Sequence, residues 1–215
     1  METAAVGVRL GTLRSIWTYP VKSLRRVEHD EVEIEEDGLA GDRRAGFYVT
    51  SAEHARSGKT YRGKEDNRLH LIEHPDEAFG AVGERGVDLE MRVGGRHFDA
   101  GTVSLILDRW IAEVERALGR ALDPLRWRPN LFVASEAAVS ERDLAGTLIT
   151  IGTVALRVLR PIGRCVTTTY DQVTGESDPE VLGFVARERD NNMGVYCDVE
   201  TPGIVRTGDV LRVLR

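Results

Sequence analysis

The stretch Leu148-Ile-Thr-Ile-Gly-Thr-Val-Ala-Leu-Arg-Val-Leu159 contains two short runs of apolar and β-branched residues on either side of a glycine. β-Branched residues favour extended backbone, and a glycine-containing pair between two such runs is typical of a tight turn. The stretch therefore predicts two strands, Leu148–Ile151 and Val154–Leu159, joined by a turn at Gly152-Thr153.

The same type of pattern recurs on both sides of this hairpin. Val87–Val93 alternates cleanly between apolar and polar residues, and Gly94-Gly95 then offers a turn before Arg96–Phe98. We expect a hairpin there. Further strands are predicted in Arg9–Tyr19, Glu31–Glu35, Phe47–Thr50, Leu131–Val133, Val166–Tyr170, Gly194–Val199 and Val210–Leu214.

Two segments have a helical rather than an extended pattern. Apolar residues between Val103 and Leu118 recur at helical spacing and Gly119 follows, which predicts a helix over 102–118. A second helix is expected to begin at Asp178-Pro179, a capping residue followed by proline. Many short strands and few helices indicate a mainly β protein with β-barrel architecture.

Size, charge and cysteine content limit the class of protein. A chain of 215 residues, 41% hydrophobic, fits one large domain or two small ones. A net charge of −6 argues against general binding to nucleic acid or to anionic membranes. Neither a leader pattern at the N-terminus nor a run of about 20 apolar residues is seen. Two cysteines cannot form a disulfide framework or a four-cysteine metal site. A cytoplasmic location is the simplest expectation.

The positive residues nevertheless occur in short clusters beside turns. If the fold brings these clusters together, an acidic protein would contain one local anion site. The alternative is a set of solvated loops that carry arginine, and composition alone leaves both open. The clusters comprise Lys22, Arg25 and Arg26, then Arg43 and Arg44, then Arg126 and Arg128, and finally Arg164.

Cys165 is the candidate reactive residue. It follows Pro161-Ile-Gly-Arg164 at the predicted start of a strand, so its thiol would lie beside a guanidinium, which favours the nucleophilic and metal-binding thiolate. A small buried hydrophobe is the alternative. Cys197 has no basic neighbour in sequence and is interpreted as core.

Other motifs carry less weight. His70-Leu-Ile-Glu-His74 matches a zinc-protease spacing, but it is strand-like and Pro75 is expected to end any helix. The glycine-rich stretches 38–41 and 80–86 lack the context of a nucleotide-binding loop, and no nucleophile elbow is present. We interpret both stretches as turns.

Four segments, in order, resemble the MOSC (molybdenum cofactor sulfurase C-terminal) family. They are Tyr19-Pro-Val-Lys-Ser23, Gly38-Leu-Ala-Gly-Asp-Arg43, Arg128-Pro-Asn-Leu-Phe-Val133 and Gly163-Arg-Cys-Val-Thr-Thr168. The resemblance implies an N-terminal β-barrel-like domain over residues 1–100 and a β-barrel MOSC domain over residues 101–215. Relatives of this type include the mitochondrial amidoxime-reducing component and bacterial reductases of N-hydroxylated compounds.

The resemblance also implies a site. By motif, Cys165 would be the metal ligand and catalytic residue for a molybdenum cofactor (molybdenum bound by molybdopterin). The remaining cofactor-binding residues would be Lys22, Ser23, Arg43, Arg128, Asn130, Arg164, Thr167 and Thr168. Guanidinium groups suit the cofactor phosphate because they donate in a fork geometry.

The implied reaction is reduction of hydroxylamines or amidoximes. Because the chain has no cluster cysteines, electrons would come from a separate ferredoxin, flavoprotein or cytochrome. Gly163 departs from the serine common in reductase relatives. The first alternative is a sulfur carrier with a persulfide on Cys165, charged by a cysteine desulfurase, and pyridoxal phosphate is not expected to bind this chain. The second alternative is a non-catalytic module that binds the molybdenum cofactor.

Overall fold

The computed structural model describes residues 7–52, 57–98 and 100–214. Residues 1–6, where the sequence shows no leader pattern, lie outside the described residues, as does Arg215. The described part of the chain forms fourteen strands: β1 (Val8–Thr18), β2 (Val27–His29), β3 (Glu31–Glu35), β4 (Gly38–Leu39), β5 (Ala45–Ala52), β6 (Thr60–Tyr61), β7 (Val87–Val93), β8 (Val103–Leu107), β9 (Leu131–Ser135), β10 (Leu148–Ile151), β11 (Val154–Gly163), β12 (Asn192–Thr201), β13 (Gly203–Arg206) and β14 (Val210–Leu214).

Helices occupy the connections between strands. Within the described ranges these are the α-helices α1 (Pro75–Gly83), α2 (Asp108–Leu118), α3 (Glu141–Leu144) and α4 (Pro179–Glu188), and the 3₁₀ turns Asn67–Leu71, Pro124–Trp127 and Val166–Thr169. None of these helices has the length and apolar character needed to cross a bilayer.

Seven strands close into a barrel in the order β14-β10-β11-β12-β8-β9-β1, and β1 pairs back onto β14. β1 pairs with β14 over Val8–Thr12 and with β9 over Gly11–Ile16, and its register shifts near Gly11 and again before Ser15. A Cβ at Gly11 would lie 2.2 Å from the Ala134 carbonyl oxygen, so the close approach of β1 and β9 requires glycine. The mainly β, barrel-forming fold class is confirmed.

Two three-stranded sheets flank the barrel, β13-β3-β4 and β6-β5-β7. The main core fills the barrel, while a second core lies under β5 and α1 and includes Phe47, Leu69 and Val82. β1 precedes residue 100 but belongs to the barrel, whose other strands come later in the chain. The first hundred residues therefore contribute both to the barrel and to the flanking sheets. The domain boundary at residue 100 stays a prediction.

Several local predictions are wrong. Residues 103–107 form strand β8 rather than the start of a helix, because five consecutive buried residues have no period and pairing with β9 and β12 decides their backbone. Val166–Thr169 is a 3₁₀ turn, in which the Thr168 and Thr169 hydroxyls donate to the carbonyls of Cys165 and Val166 at 2.7 and 2.8 Å.

The other errors involve the glycine-rich segments and the His70 motif. β7 pairs with β5 rather than with residues 96–98, so Gly94-Gly95 closes no hairpin. The strand-like His70 motif instead begins in the 3₁₀ turn Asn67–Leu71, and residues 80–83, interpreted as a turn, belong to helix α1, which begins at Pro75. The N-cap at Asp178, the C-cap at Gly119 and the β10–β11 hairpin are confirmed.

Candidate functional site

A cavity of about 400 Å³ lies where one end of the barrel meets the first hundred residues. Its described lining contains seven cationic side chains and no Asp or Glu: Lys22, Arg43, Arg62, Lys64, Arg126, Arg128 and Arg164. In a protein whose net charge is −6, this concentration of positive charge favours an anion as the ligand. Each of the four basic clusters noted in the sequence contributes at least one residue to the cavity. Three of their members, Arg25, Arg26 and Arg44, do not line it.

The cavity brings together eight of the nine residues expected at the site. They are Lys22, Ser23, Arg43, Arg128, Arg164, Cys165, Thr167 and Thr168. Asn130 is buried behind the wall, where its amide oxygen accepts from the backbone and hydroxyl of Ser104 at 3.1 and 2.9 Å. Its amide nitrogen donates to the Trp17 carbonyl at 3.1 Å. Asn130 thus joins β1 to β8, and it contacts two cavity-lining residues, Ser104 and, at 3.4 Å, Arg43.

Cys165 lies two residues after the end of β11 and is the N-cap residue of the 3₁₀ turn Val166–Thr169. Its side chain is exposed, whereas Cys197 is buried in β12. Thr168 donates to the Cys165 carbonyl through both its backbone N–H, at 3.1 Å, and its hydroxyl, at 2.7 Å. These bonds fix the backbone of Cys165 and leave its thiol at the cavity surface.

Arg164 points into the protein rather than toward solvent. Its guanidinium donates to the carbonyls of Trp127, at 2.9 Å, and Met193, at 2.8 Å, and it forms no ion pair among the described residues. Burial lowers the pKa of Arg164 to about 10. The residue remains a cation at neutral pH, so it adds positive charge beside Cys165 while it anchors the loop.

Arg43 and Arg128 rest on one aromatic ring. Their guanidinium carbons lie 4.9 and 4.1 Å from the ring centroid of Tyr19, which follows β1. The Tyr19 hydroxyl donates to the Pro129 carbonyl at 3.1 Å, and burial raises its pKa to about 12. The neutral tyrosine therefore supports both cations through cation–π contacts.

Asp42 forms a buried ion pair with Arg43. Its carboxylate is fully buried, pairs with the Arg43 guanidinium and accepts from the Tyr19 backbone N–H at 2.7 Å. The Gly-Asp-Arg segment therefore builds an ion pair into the cavity floor.

Three lining residues other than glycine have left-handed backbone: Ser23 (φ 75°), Arg43 (φ 47°) and Arg128 (φ 47°). Such conformations cost free energy and persist where the surrounding structure fixes them, often at binding sites. All three belong to segments that carried the resemblance to a known family.

Several lining residues were absent from the predicted site, among them Arg62, Lys64, His70, Trp127 and Tyr196. Arg126 was recognised only as part of a basic cluster, and it binds the Thr169 carbonyl at 2.6 Å and Asp171 at 3.1 Å. His70 was considered only as part of a zinc motif, yet it is buried while His74 is exposed at the start of α1. No local pattern in the sequence marks these residues.

The residues present fit a phosphate-bearing group with a soft metal. An exposed thiol offers the soft ligand, and the guanidinium and ammonium groups offer charge-assisted donors for phosphate. In addition, Trp127 lines the cavity, and its buried indole N–H has no hydrogen-bond partner among the described residues.

The fold is shared with solved structures. The YUAD protein from Bacillus subtilis is similar with a TM-score of 0.59 over 94% of both chains, at 17% identity. YiiM from Escherichia coli is similar with a TM-score of 0.50 over 97% of this chain and 70% of that one, at 12% identity. At these identities the likeness concerns the fold alone.

In sequence, no curated protein gives a significant match. The family model for the MOSC domain matches residues 95–212, more than half of the chain, and includes most of the barrel with Arg128, Arg164 and Cys165. MOSC domains are regarded as molybdenum-cofactor-binding or sulfur-carrying domains, which agrees with an exposed cysteine in a cationic cavity. With the barrel and the matching sequence both in place, the chain belongs to the MOSC domain family.

Proposed function

We propose that this protein is a molybdenum-cofactor-dependent oxidoreductase that reduces N-hydroxylated compounds such as hydroxylamines and amidoximes. The observation that carries the proposal is that the exposed thiol of Cys165 shares one cavity with seven cationic side chains. A thiol alone or a basic patch alone would be unspecific. Their combination suits a group that presents a soft metal at one end and a phosphate at the other.

The residues take distinct roles in this proposal. Cys165 would bind the metal as a thiolate, and Lys22, Ser23, Arg43 and Arg128 would hold the phosphate. When bound, the cofactor supplies two electrons that, with two protons, cleave the N–O bond and release the oxygen as water. Arg164 keeps the Cys165 loop in place, and the Trp127 N–H and the Thr167 hydroxyl remain to orient bound groups.

The electrons must come from another molecule. Among the described residues no group of three or more Cys, His, Asp or Glu side chains is placed to hold a metal ion or cluster. We therefore propose a separate ferredoxin, flavoprotein or cytochrome as the donor.

The test is to produce the protein in a host that makes the cofactor and to measure its metal, its pterin and its turnover. We expect about one molybdenum and one pterin per chain, and consumption of benzamidoxime with a chemical reductant. Cys165→Ser should lose both molybdenum and turnover, since a serine hydroxyl is a poor soft-metal ligand. Cys197→Ala is the matched control and should keep both, because Cys197 is buried away from the cavity. Full turnover by Cys165→Ser would refute the proposal.

The exposure of Cys165 also supports a second candidate, a sulfur carrier. In that case a cysteine desulfurase would add one sulfur atom to the thiol, which mass spectrometry detects after incubation with cysteine. A sulfur adduct on Cys165, with no molybdenum retained, would favour this candidate. Molybdenum and pterin retained without turnover of any N-hydroxylated compound would favour a cofactor-binding module.

A further inference from the structure

His70 lies in the cavity wall, on the 3₁₀ turn Asn67–Leu71, and is only 2% exposed. Its Nδ1 atom is 2.8 Å from the Ser23 carbonyl oxygen and 3.1 Å from Nη1 of Arg128. It thereby contacts two residues that we place at the phosphate.

The carbonyl contact fixes the tautomer. A carbonyl oxygen only accepts, so at 2.8 Å Nδ1 must carry the proton and donate it to Ser23. The Arg128 guanidinium also only donates, and it therefore faces the imidazole as a charge. Burial and this charge lower the pKa of His70 to about 3, so the ring is neutral at physiological pH.

The neighbours of His70 need external support. Ser23 and Arg128 both have left-handed backbone, which a serine or an arginine adopts only when other contacts hold it. His70 binds the Ser23 carbonyl, and Nη2 of Arg128 binds the next carbonyl, that of Leu24, at 2.9 Å. Two consecutive carbonyls of this turn are thus tied to residues of the cavity wall.

The ring is also fixed from its other side. A Cβ at Gly63 would lie 2.0 Å from Nε2 of His70, so the imidazole packs directly on the backbone of that glycine. Nε2 is buried and has no hydrogen-bond partner among the described residues. The ring therefore contributes one directed hydrogen bond, through Nδ1, and otherwise fills space.

We propose that His70 is a positioning residue for an oxyanion cradle formed by Lys22, Ser23 and Arg128. As a neutral donor to the Ser23 carbonyl, it would hold the turn in the conformation in which Lys22, the Ser23 hydroxyl and Arg128 face one phosphate group. The identification of the phosphate as part of a cofactor rests on the proposed function, whereas the cradle itself does not.

The test uses inorganic phosphate as the probe and protein made in a host that lacks the cofactor. His70→Asn places an amide N–H near the position of Nδ1, while His70→Leu keeps most of the volume without a donor. We expect calorimetry to give a phosphate Kd within about threefold of wild type for the asparagine variant and about tenfold weaker for the leucine variant. Both variants should lose thermal stability. A purely structural role of His70 would therefore weaken phosphate binding equally in both.

The possible outcomes distinguish this inference from the proposed function. Equal phosphate Kd values for the two variants, or no phosphate binding by wild type, would overturn the role of His70 even if molybdenum is retained. Rescue by asparagine alone would support the cradle whatever the cofactor, whereas absence of molybdenum from protein made in a cofactor-producing host would refute only the proposed function.

Discussion

The guanidinium carbon of Arg128 lies 4.1 Å from the ring centroid of Tyr19, although the two residues are 109 positions apart. Tyr19 directly follows the first barrel strand, and Arg128 precedes β9, which pairs with that strand. Arg43 lies on the same ring at 4.9 Å. The pairing of β1 with β9 therefore brings Arg128 to the ring that also contacts Arg43.

The first prediction concerns the ion pair in the cavity floor. Arg43→Ala leaves the fully buried carboxylate of Asp42 without its cation, so we expect the free energy of unfolding to fall by about 3 kcal/mol. Urea denaturation measures this change. The double variant Asp42→Asn with Arg43→Ala should recover about half of the loss, since no charge is then buried. An unchanged denaturation midpoint for Arg43→Ala would show that the pair is not structural.

The second prediction concerns pH. The pKa of His70 is about 3 in the folded protein and about 6.5 in the unfolded chain, so the unfolded chain binds the extra proton between these values. Stability from this residue is therefore complete above pH 6.5 and is lost as the pH falls toward 3. Between pH 6.5 and 4.5, wild type should lose about 2 kcal/mol more than His70→Asn.

The variant is the reference because the other titratable groups contribute equally to both proteins. Hydrogen bonds and nearby arginines hold the pKa of Asp66 and Asp171 below the usual value, so those carboxylates contribute at lower pH. Urea unfolding at three pH values provides the measurement. Parallel stability curves for wild type and variant would mean that folding does not lower the pKa of His70.

A third prediction tests the packing on Gly63. Gly63→Ala would place a methyl group 2.0 Å from Nε2 of His70, so the ring or the loop must shift. We expect a loss of about 1–3 kcal/mol in stability. Gly80→Ala is the control, because nothing lies within 4 Å of a Cβ there and alanine favours helix α1. Thermal melting that ranks Gly63→Ala at or above Gly80→Ala would contradict the packing described.

The fourth prediction separates the two cysteines by stability. Cys197 is fully buried in β12, and burial raises the pKa of its thiol to about 12, so it acts as a neutral core residue. Cys197→Ser buries a hydroxyl and should cost about 1–3 kcal/mol without changing turnover per folded molecule. Cys165→Ser, at an exposed position, should leave the melting temperature of the cofactor-free protein nearly unchanged. Differential scanning calorimetry of both variants checks this contrast.

The sequence predicted correctly those elements whose conformation depends mainly on residues close together in the chain. The β10–β11 hairpin follows from two alternating runs and Gly152, whose φ of 58° suits a tight turn. Strand β8 could not be predicted, because a fully buried run of five residues is compatible with helix or strand until its neighbours are known. The turn after Cys165 depends on threonine hydroxyls that compete with strand pairing.

The same distinction between local motifs and long-range contacts applies to the candidate site. Cys165, Arg43 and Arg128 lie in short motifs that carry the family resemblance, so they were predicted. His70 and Trp127 line the cavity only because distant segments fold against each other. Asn130 has a motif position but a structural role, because its amide is occupied by Ser104 and Trp17.

The pairing of β1 with β14 also determines when the barrel can form. Val8 pairs with Val213, so the barrel stays open until residues near position 213 have left the ribosome. Contacts over such sequence separations form slowly and leave strand edges exposed meanwhile. Cys165 and every cavity cation precede that point in the chain, so they emerge before the barrel that aligns them is complete. The site can therefore be completed only after β14 has been synthesised, and a chain truncated before β14 would leave β1 and β10 with unpaired edges and a tendency to aggregate.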